Sequence, residues 1–358
     1  MEIHRVGILT GGGDAPGLNA VIRAFVKRAV GQLHWQVIGI EDSFDGILER
    51  PFRIREMSPK SCAGLLARGG TVLGTTNKGD PFDYGPRGED RSKDIAEVCE
   101  QLGLEGLVVI GGDGTQKIGL RLMRERGIPV VGVPKTIDND LSATDQTFGF
   151  QSAVEVATEA LDRLHTTAES HDRVILLEVM GRDAGHIALH AGIAGGADCI
   201  VIPEIPYSID RLLGKIDARR AKGRFFTLII VAEGARCATG NGAETVRAHG
   251  KGTIRIGGPA VEIAQRLAES RKLDVRVTVL GHLQRGGSPI AYDRILATRF
   301  GVAAVDLVAQ ARWGQITVLR NGEIVGVPIE EAVTTYRQVD PRGELVRAAR
   351  AVGIEFGG

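Results

Sequence analysis

Apolar residues along this chain occur in two patterns that alternate from the N-terminus almost to the C-terminus. Continuous apolar, β-branched runs predict strands at residues 6–9, 36–40, 107–110, 130–133, 173–180, 199–202, 226–231 and 275–279. Between them, apolar positions recur at helical spacing; a first helix is predicted over residues 18–29 and a long one from near Ser152 through Leu164. Because the runs are continuous, we expect strands that helices cover on both faces.

Alternation of strands and helices is typical of the α/β class, in which right-handed crossovers connect parallel strands. Two such sheets fit a chain of 358 residues better than one. Near the end, residues 316–319 and 324–327 flank Asn321-Gly322, which predicts a β-hairpin with a type I′ turn. Residues 344–352 predict a short surface helix, and the Gly-, Pro- and charge-rich residues 80–91 predict an exposed excursion.

Charge and cysteine content narrow the class of protein. Lys plus Arg and Asp plus Glu number 44 each, so no net field favours nucleic acid or an anionic membrane as a partner. We find neither a signal peptide nor an apolar stretch of about 18 residues. The four cysteines are widely spaced, which favours reduced, buried thiols over disulfides or a zinc site. These features predict a soluble, cytoplasmic globular protein.

Two glycine-rich stretches follow predicted strands and precede predicted helices. The first is Thr-Gly-Gly-Gly-Asp-Ala-Pro-Gly at residues 10–17, and the second is Val-Ile-Gly-Gly-Asp-Gly-Thr at residues 109–115. Glycines let backbone N–H groups approach phosphate, and a helix N-terminus adds positive potential. Taken alone, either stretch fits an ordinary tight turn as well as a phosphate-binding loop, with Asp113 or Thr115 serving only as a helix cap. Two on neighbouring strands favour phosphate binding, with Asp113 as a Mg²⁺ ligand.

Carboxylates and cationic side chains follow other strands. Asp138 and Asp140 flank Asn139, and a carboxylate held beside a sugar hydroxyl can act as a general base. The alternative is an Asp/Asn-rich turn, which is common at strand ends. Arg182, His282 and Arg285 stand where cations could hold a sugar phosphate, although a lone arginine there is more often part of a surface ion pair.

Together these stretches resemble the bacterial-type 6-phosphofructokinase family, including its mixed subgroup of ATP- and pyrophosphate-dependent members. The similarity runs from Gly7 to about Ser288 and rests on Gly-Gly-Asp-Ala-Pro-Gly, Gly-Gly-Asp-Gly-Thr, Thr-Ile-Asp-Asn-Asp, Met-Gly-Arg and Gly-His-Leu-Gln-Arg-Gly-Gly-Ser. It implies two Rossmann-like three-layer α/β/α domains with mainly parallel sheets and the active site in the cleft between them. Residues 1–150 plus about 284–333 would bind ATP and Mg²⁺, and about 151–283 plus 334–358 would bind fructose 6-phosphate.

The resemblance implies a role for each matching residue in phosphorylating the C1 hydroxyl of fructose 6-phosphate. Asp138 would be the general base, with Thr136 beside the transferred group and Asp140 supporting the metal or its waters. Residues expected at the donor are Gly12, Gly112, Asp113, Gly114 and Thr115, with Asp113 holding Mg²⁺. Residues expected at the sugar are Met180, Gly181, Arg182 and Glu233, with His282 and Arg285 at its 6-phosphate; Arg182 and Gly12 would also take part in catalysis.

The resemblance also implies self-association. Arg173 and Arg276 match arginines that relatives contribute to a neighbouring subunit's site, so a homodimer or homotetramer is expected.

The chain departs from the family pattern at two groups of ligand-binding residues. Many ATP-dependent members carry an arginine near Asn77, which Lys78 follows here, and the arginines of the family's effector site transfer poorly. Allosteric control by ADP or phosphoenolpyruvate is therefore not predicted.

The phosphoryl donor depends on two positions. Pyrophosphate-dependent relatives carry an aspartate at the position of Gly114, where its carboxylate excludes the ATP α-phosphate, and a lysine at the position of Lys135. Gly114 favours ATP and Lys135 favours pyrophosphate. The exclusion of ATP by a carboxylate is a stronger constraint than the presence of an extra lysine, so we predict ATP as the donor. A non-catalytic sugar-phosphate sensor is the rival of another class, and it would be expected to lack Asp113, Asp138 or Asp140. Lipid and NAD kinases lack the Thr-Ile-Asp-Asn-Asp and Gly-His-Leu-Gln-Arg stretches. Rossmann oxidoreductases need a GxGxxG motif, which is missing from the first βα turn.

Overall fold

The computed structural model describes residues 5–239 and 258–358. The chain divides into two compact units, each built from two separate stretches of sequence. The first unit comprises Met1–Ser152 and Arg285–Tyr336, and the second comprises Ala153–Gln284 and Arg337–Gly358. Within the described ranges, no helix is both long and apolar enough to cross a bilayer.

The first unit contains a seven-stranded sheet with the strand order β11-β10-β5-β4-β1-β2-β3. Its strands are β1 Arg5–Gly11, β2 Gln36–Ile40, β3 Ile54–Met57, β4 Leu107–Gly111, β5 Val130–Pro134, β10 Gln315–Arg320 and β11 Glu323–Pro328. The five strands from β10 to β2 are parallel to one another, and only the two edge strands pair antiparallel. The predicted parallel α/β sheet is therefore confirmed.

Helices cover both faces of this sheet. They are α1 Leu18–Leu33, α2 Asp45–Leu48, α3 Ser92–Gln101, α4 Asp113–Arg126, α9 Ala291–Ala309 and α10 Ile329–Val333, and the long α5 Phe150–His171 begins at the end of this unit. Side chains of β1 and β4 alternate between two apolar clusters, one formed with α1 and α9 and the other with α2, α3, α4 and α10. Burial on both faces explains why these strands are continuous apolar runs.

Two features at the sheet edges differ in how readily sequence reveals them. The β10–β11 hairpin turns at Asn321 and Gly322, both with positive φ, as the type I′ prediction requires. Strand β3 was not predicted, because three of its four residues are only half buried or exposed and it carries two charged residues. Its pairing with β2, not an apolar pattern, makes it a strand.

The second unit contains a four-stranded parallel sheet with the order β7-β8-β6-β9. The strands are β6 Val174–Val179, β7 Cys199–Val201, β8 Thr227–Ala232 and β9 Val275–Val279. The helices besides α5 are α6 His186–Ala194, α7 Ile209–Arg220, α8 Pro259–Ser270 and α11 Glu344–Ala351. Helices α7 and α8 form the apolar core on one face, and α5 and α6 pack on the other. This unit is therefore also a three-layer α/β/α structure.

The last stretch of the chain returns to the second unit. After α11, which matches the predicted short helix, Glu355 pairs with β7: the amide of Ile200 donates to the carbonyl of Glu355 over 2.8 Å. The four cysteines are free; Cys62, Cys99 and Cys199 are buried, as predicted, whereas Cys237 is only half buried.

Candidate active site

The loop after β1 brings bare backbone to the carboxyl edge of the first sheet. Gly12 has φ 77°, a conformation that side chains rarely adopt. A methyl group built on Gly11 would lie 2.5 Å from Cγ2 of Thr115, so the end of β1 and the start of α4 lie close together. The carbonyl of Gly12 accepts a hydrogen bond from the Thr75 hydroxyl over 2.5 Å, which holds the loop in place.

The loop after β4 leads at once into α4, which begins at Asp113. The Asp113 carboxylate accepts hydrogen bonds from Nζ of Lys117, one helical turn on, over 2.8 Å and from the hydroxyl of Tyr336 over 3.0 Å. No atom lies within 4 Å of a methyl group built on Gly114, so the space beside this residue is open. The structure thus places two glycine loops and a helix N-terminus at one sheet edge, an arrangement suited to phosphate.

A buried glutamine fixes the two neighbouring strands behind these loops. Nε2 of Gln116 donates to the carbonyls of Val109, Gly111 and Val133, at 3.0, 3.2 and 3.0 Å. Because these carbonyls belong to β4 and β5, the side chain ties the start of α4 to both strands.

The residues after β5 form a tight, internally bonded turn. The Thr136 hydroxyl donates to Oδ1 of Asp140 over 2.9 Å and accepts from the amide of Asp138 over 3.1 Å. Asn139 has φ 55° and its Oδ1 accepts from the amide of Thr147 over 3.0 Å. The Asp/Asn turn that the sequence left as an alternative therefore exists, and it holds Asp138 and Asp140 at the same edge as the glycine loops.

Lys135 is the buried cation of this edge, with only 6% of its surface exposed. A methyl group built on Gly12 would lie 3.4 Å from its Nζ, so the ammonium group points at the first glycine loop. Burial, followed by the nearby charge of Arg285, lowers the pKa of Lys135 to about 8, although Asp138, Asp14 and Asp140 act in the opposite direction.

A pocket of about 580 Å³ opens from these loops within the first unit. Its lining includes residues of both glycine loops and the buried lysine, namely Gly12, Gly112, Gly114, Thr115 and Lys135. Its remaining wall is partly apolar and aromatic, and is formed among others by Phe44, Phe82, Ile118 and Arg121. The guanidinium of Arg121 lies 3.8 Å above the ring of Phe82. The lining of the pocket therefore combines glycine-loop backbone and charged groups with apolar side chains.

In the second unit, the carboxyl ends of parallel strands gather a different set. Met180, Gly181 and Arg182 follow β6, Glu233 follows β8, and His282 follows β9. Backbone hydrogen bonds align these ends: the amide of Glu233 donates to Val179 over 2.9 Å, and that of Leu280 to Glu178 over 3.0 Å. Arg182 and His282 are exposed. The structure thus places these five residues after the carboxyl ends of strands in one sheet.

Arg173 and Arg276 do not belong to this set in their own chain. Arg173 precedes β6 and Arg276 is the second residue of β9, so both lie at the amino edge of the sheet. Six strand residues, about 20 Å, separate Arg173 from the carboxyl edge, and three strand residues, about 10 Å, separate Arg276 from it. In this chain both arginines form ion pairs with Asp274, and Nε of Arg173 lies 2.7 Å from the Asp274 carboxylate.

Several residues of the candidate site were not found by sequence reasoning. Lys117 stands four residues after Asp113 on a predicted helix, a spacing that is known to form ion pairs. Tyr336 is 223 residues from Asp113 and nothing in its surroundings signals the contact. Residues 80–91 were predicted to be an exposed excursion, yet Phe82 is 9% exposed and lines the pocket. Lys78, by contrast, is exposed beside Asn77, which lines the pocket.

Sequence comparisons match this chain to known proteins. A family model described as phosphofructokinase matches residues 5–308. A relative from Chloroflexus aggregans named ATP-dependent 6-phosphofructokinase is 52% identical, covering 99% of this chain and 98% of its own. A Synechocystis relative named ATP-dependent 6-phosphofructokinase 1 is 50% identical, over 99% of both chains.

Solved structures share the fold. Phosphofructokinase from Saccharomyces cerevisiae superposes with a TM-score of 0.78 at 33% identity, over 92% of this chain but only 45% of the yeast chain. A pyrophosphate-dependent phosphofructokinase from Marinobacter aquaeolei superposes with a TM-score of 0.80 at 21% identity, a likeness of fold alone. The matched family model and the full-length similarity to curated relatives lead to one conclusion: this chain belongs to the phosphofructokinase family.

Proposed function

We propose that this chain is an ATP-dependent 6-phosphofructokinase, which transfers the terminal phosphoryl group of ATP to the C1 hydroxyl of fructose 6-phosphate. The observation that carries this proposal is the pocket of the first unit, whose lining combines both glycine loops, which suit phosphates, with the apolar side chains of Phe44, Phe82 and Ile118. Pyrophosphate would need only the glycine loops. The names of the full-length relatives support the same donor.

ATP binding follows from the shape of this pocket. The glycine loops at Gly12 and Gly112–Gly114 present backbone N–H groups and a helix N-terminus to the phosphate chain. Phe44, Phe82 and Ile118 offer apolar surface to a purine, and Arg121 adds a cation close to it. The open space beside Gly114 leaves room for the α-phosphate.

Asp113 fits a magnesium ion that is shared with the phosphates. Mg²⁺ is usually bound by one or two carboxylates together with substrate phosphates and water, so it does not need a cluster of protein ligands. No group of three or more His, Cys, Asp or Glu side chains exists in the two described ranges, and the single carboxylate of Asp113 meets the requirement. When bound, the ion neutralises charge on the donor phosphates.

The reaction itself needs a base and a held geometry. The C1 oxygen of the sugar bonds to the γ-phosphorus, the bond from that phosphorus to the β–γ bridging oxygen breaks, and ADP leaves. The proton of the C1 hydroxyl passes to Asp138. The Thr136 hydroxyl, bonded to Asp140 and to the Asp138 amide, keeps both carboxylates in position.

The acceptor side rests on the carboxyl edge of the second sheet. Met180, Gly181, Arg182 and Glu233 would contact the sugar, and His282 and Arg285 its 6-phosphate. Because Arg173 and Arg276 lie at the opposite edge, they would serve the site of a neighbouring subunit in a homo-oligomer.

Incubation of the purified protein with fructose 6-phosphate, ATP and Mg²⁺ tests the proposal. Phosphorus NMR is expected to show a new phosphate ester at C1, formed in equal amount to ADP. A sensor or regulatory subunit would bind fructose 6-phosphate, measured by calorimetry, without forming this ester, and that result would refute the proposal.

The second-order rate constant for ATP, kcat/KM, is expected to decline as the pH rises above about 8. This parameter reports groups of the free enzyme, and Lys135, whose pKa is lowered to about 8, loses the charge that attracts the donor phosphates. A Lys135→Met variant is expected to lack this decline while showing a lower value at neutral pH. The same decline in the variant would assign it to another group.

Subunit mixing tests the shared site. Asp138→Ala and Arg276→Ala subunits, co-expressed in equal amounts and assayed at low fructose 6-phosphate, are expected to recover about a quarter of wild-type activity. Half of the random pairs are mixed, and one of the two sites in each then holds both residues. If Arg276 serves the site of its own chain, no activity is recovered. Light scattering of the same sample is expected to show a dimer or tetramer.

A further inference from the structure

Asp113, the carboxylate assigned to Mg²⁺, is held by two donors at a single oxygen. Nζ of Lys117 lies 2.8 Å from Oδ2, and the hydroxyl of Tyr336 donates to the same oxygen over 3.0 Å. Among residues 5–239 and 258–358, no group donates to the other oxygen, Oδ1, and 19% of the Asp113 side chain is exposed. One oxygen of the carboxylate is thus engaged by the protein, and the other is open to a ligand.

The lysine alone does not fix the direction of this carboxylate. Lys117 stands four residues after Asp113 on α4, and 49% of its side chain is exposed. Exposed ion pairs of this kind are weak, and a flexible ammonium group acts as a point charge without a preferred direction. The orientation of the Asp113 carboxylate therefore depends on the second donor, Tyr336.

Tyr336 is itself held in place. Its backbone forms an antiparallel bridge with Leu141, which is 1% exposed and directly follows Asp140. Nζ of Lys117 lies 5.7 Å from the centroid of the tyrosine ring, within reach of a cation–π contact. Both Tyr336 and Asp113 belong to the first unit. Because the backbone is already paired, directing the hydroxyl at Asp113 costs little further conformational entropy.

The segment that precedes Tyr336 is anchored to the same helix as the carboxylate. In α10, Glu330 forms an ion pair with Arg124 of α4 over 2.6 Å. The hydroxyl of Ser142 donates to the carbonyl of Glu331 over 2.9 Å. Because α4 begins at Asp113, the donor and the acceptor of the Tyr336 hydrogen bond are joined by one connected framework.

We propose that Tyr336 is a positioning residue for Mg²⁺: its hydroxyl holds Oδ2 of Asp113 so that Oδ1 binds the metal of the nucleotide complex. Hydrogen bonds from outer residues orient metal ligands, and their loss typically weakens metal binding by about 10–100-fold. The phenol is neutral, so it orients the carboxylate without adding a charge that repels the ion. This inference rests on the proposed function, because it assigns a residue to the donor side of that reaction.

The effect of Mg²⁺ on ADP binding tests the proposal without turnover. Calorimetry measures the dissociation constant of ADP from the whole enzyme in EDTA and in Mg²⁺, and the ratio of the two is the factor by which the ion tightens binding. In Tyr336→Phe this factor is expected to fall about tenfold, or to one if the wild-type factor is smaller. The affinities for metal-free ADP and for fructose 6-phosphate are expected to change by less than about threefold. Asp113→Ala is expected to lose the factor entirely.

Tyr292→Phe is the matched control. It removes a tyrosine hydroxyl of the same unit, which donates to Oε1 of Gln146 over 2.7 Å, and Tyr292 is 44% exposed compared with 48% for Tyr336. The control is expected to leave the factor unchanged.

Steady-state rates separate positioning from a general structural defect. In Tyr336→Phe the KM for the magnesium complex of ATP is expected to rise about tenfold, while kcat and the melting temperature stay close to those of the wild type. A structural defect would lower the melting temperature and weaken binding of metal-free ADP as well.

Three results would overturn the proposal. An unchanged factor in Tyr336→Phe, with the factor lost in Asp113→Ala, would show that Asp113 binds the ion without this hydroxyl. A larger factor in Tyr336→Phe would show that the hydroxyl competes with Mg²⁺ for the carboxylate. A factor that survives in Asp113→Ala would remove Asp113 as the ligand and the role of Tyr336 with it. Failure of the proposed function is distinguishable from all three, since wild-type enzyme would then form no sugar bisphosphate from ATP.

Discussion

An Asp138→Ala variant is expected to turn over about 10²–10⁴-fold more slowly than the wild-type enzyme. The C1 hydroxyl is a weak nucleophile, and its proton must leave as the oxygen bonds to phosphorus. The amide of Asp138 is bonded to the Thr136 hydroxyl, whose own proton goes to Asp140, so the turn survives the loss of the carboxylate. Fructose 6-phosphate affinity is therefore expected to change by less than about threefold.

The matched control for this variant is Asp138→Asn, which keeps the shape of the side chain but cannot accept the proton. It is expected to be as slow as Asp138→Ala, with an unchanged melting temperature. Steady-state rates and calorimetric binding of fructose 6-phosphate measure both variants. Wild-type-like turnover in either would remove Asp138 as the base.

A Gly114→Asp variant is expected to raise the KM for ATP by about 10–100-fold and to favour pyrophosphate as the donor. The space beside Gly114 is open, so an aspartate fits without disturbing α4. Its carboxylate would stand in the region we assign to the α-phosphate of ATP, and like charges repel there. Pyrophosphate has no α-phosphate and is spared this repulsion.

Gly114→Asn separates charge from size in this experiment. Asparagine fills the same space without a charge, so its KM for ATP is expected to lie between those of the wild type and Gly114→Asp. Initial rates at varied ATP and pyrophosphate measure all three proteins. An unchanged KM for ATP in Gly114→Asp would contradict the placement of the α-phosphate beside this residue.

The parallel core of both units was predictable because its physical cause is local and repeated. Strands such as β4 and β5, buried on both faces, are continuous apolar runs, and each run was recognisable by itself. Strand β3 escaped prediction because it lies at a sheet edge and only pairing with β2 defines it. The hairpin at Asn321 and Gly322 was predictable because its turn needs positive φ at both residues.

The candidate site was predictable only in part. Loops that directly follow strands, such as those at Gly12 and Gly112, reach the sheet edge by topology alone. Contacts between distant segments carry no such signal: Tyr336 meets Asp113 and Arg285 meets Gly13 across more than 200 residues.

The most direct test of the account compares two donors on one purified protein. Initial rates of fructose 1,6-bisphosphate formation are measured at saturating fructose 6-phosphate and Mg²⁺, with ATP or pyrophosphate varied. We expect kcat/KM for ATP to exceed that for pyrophosphate by at least about tenfold, because the apolar side chains of the pocket and the open space at Gly114 serve only a nucleotide. A preference for pyrophosphate, or no bisphosphate from either donor, would contradict it.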